Sequence, residues 1–188
     1  MLMVQKLSSW LIKISKGWLV LISLVIFLLF VVLVLPQQTE QIDNQNRGAG
    51  SPDTSLWYSA EDLYSMAEAY GQAGRDAFVH SHLTFDVAWP LVYTLFLVTS
   101  LSWLSVRAFP LGSLFRMVNL VPLCAALFDF LENISTSLIM LRYPASTPLI
   151  DSLAAVFTLI KWILVSASIF LLLIALVASV WRRSRFNH

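Results

Sequence analysis

The sequence contains few charged residues and almost no cysteine. Only 12% of its 188 residues are charged and 58% are apolar, whereas ordinary soluble domains are about 25% charged. This composition excludes a disordered chain, a nucleic-acid-binding protein and an ordinary cytosolic enzyme. The single cysteine, Cys124, cannot form an internal disulfide, and one thiol does not make a metal site. The sequence also lacks a nucleophile elbow, a zincin helix, a phosphate loop and a dinucleotide-binding fingerprint.

Long apolar runs are the main feature of the sequence. Four of them reach the roughly 20 helical residues that cross a hydrocarbon core, at 18–36, 83–106, 115–141 and 152–181. Pro36 should end the first run, and no small-x-small cleavage pattern follows it, so we expect a retained anchor. Pro144 and Pro148 flank the short turn between the last two runs, which predicts an antiparallel hairpin. The predicted fold class is all-α, a four-transmembrane-helix bundle with a short extracytoplasmic amphipathic helix.

The placement of charge predicts the orientation of the chain. With the amino terminus inside, the inner segments carry eight basic residues and none of the eleven acidic ones, while the outer segments carry three basic residues. This positive-inside bias predicts a bacterial inner (plasma) membrane protein with both termini cytoplasmic. The basic leader, 1–17, either lies along the inner surface or is solvated. The basic tail, 182–188, is predicted on the same side.

The segment between the first two spans is predicted to be the only sizeable part outside the membrane. Residues 37–57 are rich in Gln, Asn, Gly and Asp, which predicts a flexible linker, and residues 58–82 predict a helical segment. Ser59 can cap a helix with an acidic first turn. Gly71 is a natural stop, after which a new helix should continue into the second span. The first of these helices has an apolar stripe, so it lies on the membrane surface, covers the mouth of the bundle or is a packed connector.

The second span carries polar residues near its outer end. His82, Asp86 and Tyr93 lie at steps of four and seven residues, which places them along one stripe of a helix. The four-residue step brings His82 and Asp86 close enough for a hydrogen bond. Pro90 should kink the span and free the backbone carbonyl of Asp86 from its usual helical partner.

The third and fourth spans carry further ionisable residues, which are costly in a membrane and usually face a partner inside a bundle. Asp129, Glu132 and Asn133 share one face of the third span, and Lys161 lies in the fourth. Counted from the shared turn at about 1.5 Å per residue, Glu132 and Lys161 are level, so we predict that Lys161 pairs with Glu132 or Asp129. One lysine cannot neutralise every acid here. At least one acid is therefore expected to be protonated, satisfied by His82 or Asn133, or reached by water.

These residues define a candidate site that we interpret as ligand-binding, with no catalytic residue assigned: His82, Asp86, Tyr93, Asp129, Glu132, Asn133 and Lys161. The cluster holds helices together, lines a cavity or ion path, or forms an intramembrane catalytic site. We favour a non-enzymatic multi-pass membrane protein whose cluster stabilises the bundle and binds a small or lipid-like ligand from the outer face. The alternative is an intramembrane enzyme of the isomerase or hydrolase type, acting on a lipidic or isoprenoid substrate through Asp129 or Glu132.

No cofactor and no metal are expected from the sequence. His82 and the neighbouring acids could bind a divalent cation, but Lys161 in the same place would oppose it. The expected partners are the lipid bilayer and a small lipidic ligand, with no nucleic acid. An oligomer or a larger membrane complex stays an open alternative.

Four short motifs give the chain a resemblance to a known group. They are Tyr58-Ser-Ala-Glu-Asp-Leu-Tyr64, Tyr70-Gly-Gln-Ala-Gly-Arg75, Phe85-Asp-Val-Ala-Trp-Pro90 and Phe128-Asp-Phe-Leu-Glu-Asn133. Their order, within residues 57–143, resembles a pattern in small, uncharacterised bacterial four-span integral membrane proteins. The resemblance implies the same four-span architecture and carries over no site residues. The architecture is also similar to that of sterol-isomerase-like and sigma-2-receptor-like proteins, which place acids in a ligand cavity between helices.

Overall fold

The computed structural model describes residues 2–110 and 113–186, with 87% of the chain in helices and no strand among the described residues. The α-helices are α1 (Leu2–Ile14), α2 (Gly17–Leu29), α3 (Leu35–Gln45), α4 (Ala60–Ala108), α5 (Val121–Arg142) and α6 (Ile150–Phe186). The stretches long and apolar enough to span a membrane are Gly17–Ile42, Ala60–Ala108, Leu114–Arg142 and Ile150–Ser184. The predicted all-α fold with four such helices is confirmed.

The sequence suggested that the first apolar helix ends at Pro36, but helical structure continues past this residue. A π-helical turn, Phe30–Val34, follows α2, and α3 begins directly after it with Pro36 in its first turn. Proline is tolerated in a first turn because its missing N–H has no helical acceptor there. Residues 37–45 of the expected linker are therefore helical, and irregular chain begins after Gln45.

Helix α4 consists of two helices joined at Gly71, as predicted. Ser59 caps the first one, because its Oγ accepts a hydrogen bond from the Asp62 N–H at 3.1 Å while the Asp62 carboxylate accepts from the Ser59 N–H at 2.8 Å. Gly71 has a φ of +65°, a value that residues other than glycine rarely adopt. The chain then continues as one helix through Pro90 to Ala108.

The chain folds into two compact units. The first unit comprises Met1–Leu28, Val92–Ala125 and Ile163–His188, and the second comprises Leu29–Leu91 and Ala126–Trp162. All eleven acidic residues of the sequence belong to the second unit. The first unit holds eight of the twelve basic residues: Lys6, Lys13, Lys16, Arg107, Arg116, Arg182, Arg183 and Arg185.

The first unit is held together by buried polar contacts as well as apolar packing. Asn119 is fully buried, accepts a hydrogen bond from Ser8 Oγ at 2.8 Å and donates one to Ser102 Oγ at 2.9 Å. The hydroxyls of Ser23 and Thr99 lie 2.8 Å apart. The leader is therefore helical, and its residue Ser8 is packed rather than solvated.

The apolar stripe of the first part of α4 packs into the core of the second unit. Leu63, Ala67 and Tyr70 are fully buried in one cluster with residues of α5 and α6, including Ile139 and Ala154. Of the alternatives for this helix, the structure therefore shows a packed element with its apolar face covered by protein.

Candidate metal and ligand site

Lys161 forms the predicted ion pair between α6 and α5. Its Nζ contacts Glu132 Oε2 directly and lies 3.8 Å from Asp129 Oδ1. The three-residue spacing of the two acids places them on the same face of α5. Glu132 is completely buried, and Lys161 and Asp129 are nearly so. The prediction that Lys161 pairs with one of these acids is confirmed.

The second carboxylate oxygen of Glu132 is held by a short chain of hydroxyl groups. Thr158 Oγ1 donates to Glu132 Oε1 at 2.6 Å, and the Tyr58 hydroxyl lies 2.9 Å from Thr158 Oγ1. Because Thr158 directs its single hydroxyl proton to Glu132, the Tyr58 hydroxyl donates to Thr158 Oγ1, and burial raises the pKa of Tyr58. Tyr58 lies in the irregular chain before α4, and this bond links that chain to α6.

His82 lies between two carboxylates. Its Nδ1 is 3.0 Å from the Phe78 carbonyl oxygen and 3.1 Å from Asp86 Oδ2, and its Nε2 is 3.4 Å from Asp53 Oδ1. The His82 ring is only 2% exposed, and the Phe78 ring stacks on it with centroids 3.8 Å apart. The expected contact of His82 with Asp86 is confirmed. Asp53 was not among the predicted site residues.

The loop before α4 places Asp53 in this site. Asp53 lies in the 3-10 turn Pro52–Thr54, where Ser51 Oγ donates to its Oδ2 at 3.2 Å. Burial alone would raise the pKa of Asp53, but the facing His82 and the charge of Lys161 outweigh that effect and bring the pKa below its ordinary value. The Asp53 side chain is 22% exposed, so the site is reachable from solvent.

Asn133 satisfies the backbone carbonyl that Pro90 frees. The Asn133 amide donates to the carbonyl oxygen of Asp86 at 2.9 Å, which links α5 to α4. Pro90 is fully buried and has no N–H to bond that oxygen, as the sequence predicted. Tyr93, the remaining predicted site residue, is buried in the first unit.

The second unit thus contains a polar cluster with more acid than base. We use the name polar cluster for Asp53, His82, Asp86, Asp129, Glu132 and Lys161. Four of these side chains are carboxylic acids and two are bases. Even with both bases charged, two carboxylates have no matching positive charge within the cluster, and an uncompensated buried charge is costly.

Three buried atoms of the cluster lack a hydrogen bond of acceptable geometry, although each of them lies in an ion-pair contact. These atoms are His82 Nε2, which faces Asp53, Asp86 Oδ2, which faces His82 Nδ1, and Glu132 Oε2, which contacts Lys161. Buried polar groups are nearly always paired, so the poor hydrogen-bond geometry at His82 Nε2 is compatible with an additional ligand such as an ion or water. Asp53, His82 and Asp86 each offer one possible ligand atom, and these three atoms all lie within 4.8 Å of one another.

Lys161 was the expected obstacle to a cation, and in the structure its charge still lowers the pKa of Asp53, although its direct contacts are with other acids. Lys161 Nζ is engaged by Glu132 and Asp129. The three side chains that could hold a metal are Asp53, His82 and Asp86, and they include neither of these acids. A set of one imidazole and two carboxylates suits Zn²⁺ or Mn²⁺.

An open groove of about 440 Å³ lies beside the first part of α4. Tyr58, Trp57, Asp62 and Met66 are among the residues that line it. Tyr58 lines this groove and also belongs to the chain of hydroxyl groups that reaches Glu132. Asp129 and Glu132 do not line the groove.

The fold and the site define an all-helical protein with four helices that are able to span a membrane and a buried acidic cluster. Comparison with known proteins gives no match among family models, curated proteins or solved structures.

Proposed function

We propose that this chain is a multi-pass protein of the bacterial inner membrane that binds a divalent metal ion at Asp53, His82 and Asp86. The observation that carries the proposal is a buried imidazole held between two carboxylates, with one possible ligand atom from each of the three residues within 4.8 Å of the others. The proposal takes the small ligand expected at the cluster to be a cation. The surplus of carboxylates supports a cation over an anion or a neutral lipid.

The contacts of His82 fit metal binding through Nε2. With the ion on Nε2, Nδ1 would carry the proton and donate it to the Phe78 carbonyl oxygen, while the Asp86 carboxylate turns from Nδ1 toward the ion. Such a hydrogen bond to the second nitrogen commonly orients a ligating histidine. Asp53 then supplies the facing carboxylate, and Asp86 completes the set. The three ligand atoms now lie within 4.8 Å of one another and would have to move closer together to form metal–ligand bonds of about 2.0–2.2 Å.

Metal binding here would join the irregular chain before α4 to α4 itself. Asp53 belongs to that loop, whereas His82 and Asp86 belong to the helix. A ligand that binds the folded state alone stabilises it, by about 2.7 kcal/mol at a concentration 100 times its Kd. We therefore propose that the bound metal ion holds this loop against α4 within the second unit.

The test is calorimetric titration of Zn²⁺ and of Mn²⁺ into chelator-treated full-length protein in a neutral detergent. We expect one ion per chain for the wild type and loss of that binding in H82Q and D53N. The matched controls are H80Q and D76N, which change exposed residues of the same types, and both should bind as the wild type does. Absence of binding by the wild type, or equal loss in the controls, would reject the metal site.

The proposed topology has a separate test. The separation of acidic from basic residues between the two units supports a membrane orientation with both termini cytoplasmic. A fluorescent protein that folds only in the cytoplasm should be bright when fused after the last residue. Alkaline phosphatase, which is active only outside, should be inactive at that position and active in a fusion after residue 57. The reverse pattern would reject the orientation.

The groove beside the first part of α4 does not favour the enzymatic alternative. An intramembrane enzyme needs a cavity beside Asp129 or Glu132. The groove of about 440 Å³ is lined by other residues. Glu132 is also engaged on both carboxylate oxygens, by Lys161 and Thr158, which fits a structural role better than proton transfer.

A further inference from the structure

The first unit contains a groove of about 810 Å³ between the last turns of α4 and the carboxyl-terminal part of α6. Trp103 and Arg107 of α4 line one side, and Leu176, Val180 and two arginines of α6 line the other. Leu104, Ala108 and Ala175 form a buried apolar core beside it, with Trp103 and Leu172 packed against that core. The groove therefore has a packed apolar base and a basic rim.

The three arginines of the groove form no ion pair with an acidic side chain in the part of the chain that the structure describes. Arg107 lies over the Trp103 ring at 3.7 Å and donates to the Trp103 carbonyl oxygen at 2.7 Å. Arg182 donates to the Ala108 carbonyl oxygen at 3.4 Å. Arg183 forms no hydrogen bond or ion pair with the residues that the structure describes. Since the first unit contains no Asp or Glu, no acidic side chain of that unit neutralises these exposed guanidinium groups.

The chemistry of the rim fits a phosphate group. Guanidinium groups bind phosphate oxygens through paired N–H donors, and their weak hydration favours this contact at an interface. Basic pockets between membrane helices are known to take anionic lipid headgroups. Three such groups around one groove supply more positive charge than a neutral headgroup would need.

The apolar wall distinguishes a lipid from a free phosphate. Leu176 is 48% exposed and Val180 62% exposed, on a face of α6 that continues toward the apolar middle of the helix. A free phosphate would contact only the arginines and leave this wall uncovered, whereas an acyl chain would cover it. We infer that the groove binds an anionic phospholipid, with the phosphate at Arg107, Arg182 and Arg183 and an acyl chain along Leu176 and Val180.

The test measures thermal stability and lipid retention of the full-length protein in a neutral detergent. Phosphatidylglycerol should raise the melting temperature and stay bound in native mass spectrometry, whereas phosphatidylcholine and inorganic phosphate should not. The triple variant R107Q/R182Q/R183Q should bind phosphatidylglycerol roughly 100-fold more weakly. Each arginine is expected to contribute about a factor of five to the affinity, and the three factors multiply. An equal effect of inorganic phosphate would overturn the assignment to a lipid.

A second triple variant controls for the loss of charge alone. K6Q/K13Q/K16Q removes the same number of positive charges from exposed positions of the first unit outside the groove. It should retain phosphatidylglycerol as the wild type does. Equal losses in the two triple variants, or no retention by the wild type, would overturn the inference. If the arginine variant fails to fold, the lysine-substituted R107K/R182K/R183K replaces it, and it should show intermediate retention, because lysine lacks the paired donors.

Discussion

Replacing Lys161 by methionine should strongly destabilise the protein. Methionine has nearly the length of the lysine stem but no charge, so Glu132 and Asp129 would stay buried without their cation. Removing one partner of a buried ion pair costs about 3–5 kcal/mol. At about 2–4 °C per kcal/mol for a chain of this size, the melting temperature should fall by roughly 6–20 °C.

Changing the other partner of the ion pair, as in E132Q, should lower the stability less than K161M does. A glutamine keeps an oxygen that accepts from Thr158, and Lys161 keeps Asp129 at 3.8 Å as a partner. The double variant K161M/E132Q then leaves only the Asp129 charge uncompensated. It should be about 1–3 kcal/mol more stable than the sum of the two single losses predicts, because contacting residues couple by that amount.

The assay is thermal unfolding of purified protein in a neutral detergent, for the wild type, both single variants and the double variant. D151N provides a control cycle with K161M. Asp151 accepts hydrogen bonds from Tyr64 and from the Ser152 N–H, so its partners differ from those of Lys161. That control pair should be additive. Additive losses for K161M and E132Q would refute the reasoning that their charges compensate each other.

Three smaller predictions can be checked by the same unfolding assay. N133L should lower stability by about 1–3 kcal/mol, because the Asp86 carbonyl oxygen would lose its donor beside Pro90; an unchanged melting temperature would show that water replaces the amide. G71A should cost about 1 kcal/mol or more, because its φ of +65° is strained for alanine; a gain in stability would contradict that backbone geometry. S59A should lower stability by about 0.5–2 kcal/mol, because the helix would lose the cap that Ser59 forms with Asp62. S65A changes a nearby serine that does not cap the helix, and an equal loss in that variant would count against a specific cap.

The parts of the site on regular helices could be predicted from the sequence. The pairing of Lys161 with Glu132 follows from counting residues away from the turn between α5 and α6, because both helices rise by a constant amount per residue. The contact of His82 with Asp86 follows from helical spacing. The role of Pro90 follows from its missing N–H, although the sequence could not show that Asn133 would supply the replacement donor.

The parts of the site in irregular chain could not be predicted in this way. Asp53 and Tyr58 lie in a loop, where neighbouring residues have no fixed direction. The path of that loop depends on positive φ values at Gly48 and Gly50 and on a bond of 2.6 Å from the Tyr70 hydroxyl to the Gly50 carbonyl oxygen. Contacts of this kind depend on the assembled fold, so no local pattern in the sequence signals them.

Charge explains why the two proposed sites take ions of opposite sign. A cluster that only holds helices together has no need of excess charge, since apolar residues of similar volume hold them as well or better. The polar cluster nevertheless contains two more acids than bases, and the groove in the first unit has three arginines with no acid in the same unit. The buried excess of acid is costly when it is ionised, whereas the exposed arginines are solvated and available to pair with an anion. A metal cation at Asp53, His82 and Asp86 and a phosphate at the arginines would each supply the missing countercharge, so each excess is better explained by a ligand than by packing.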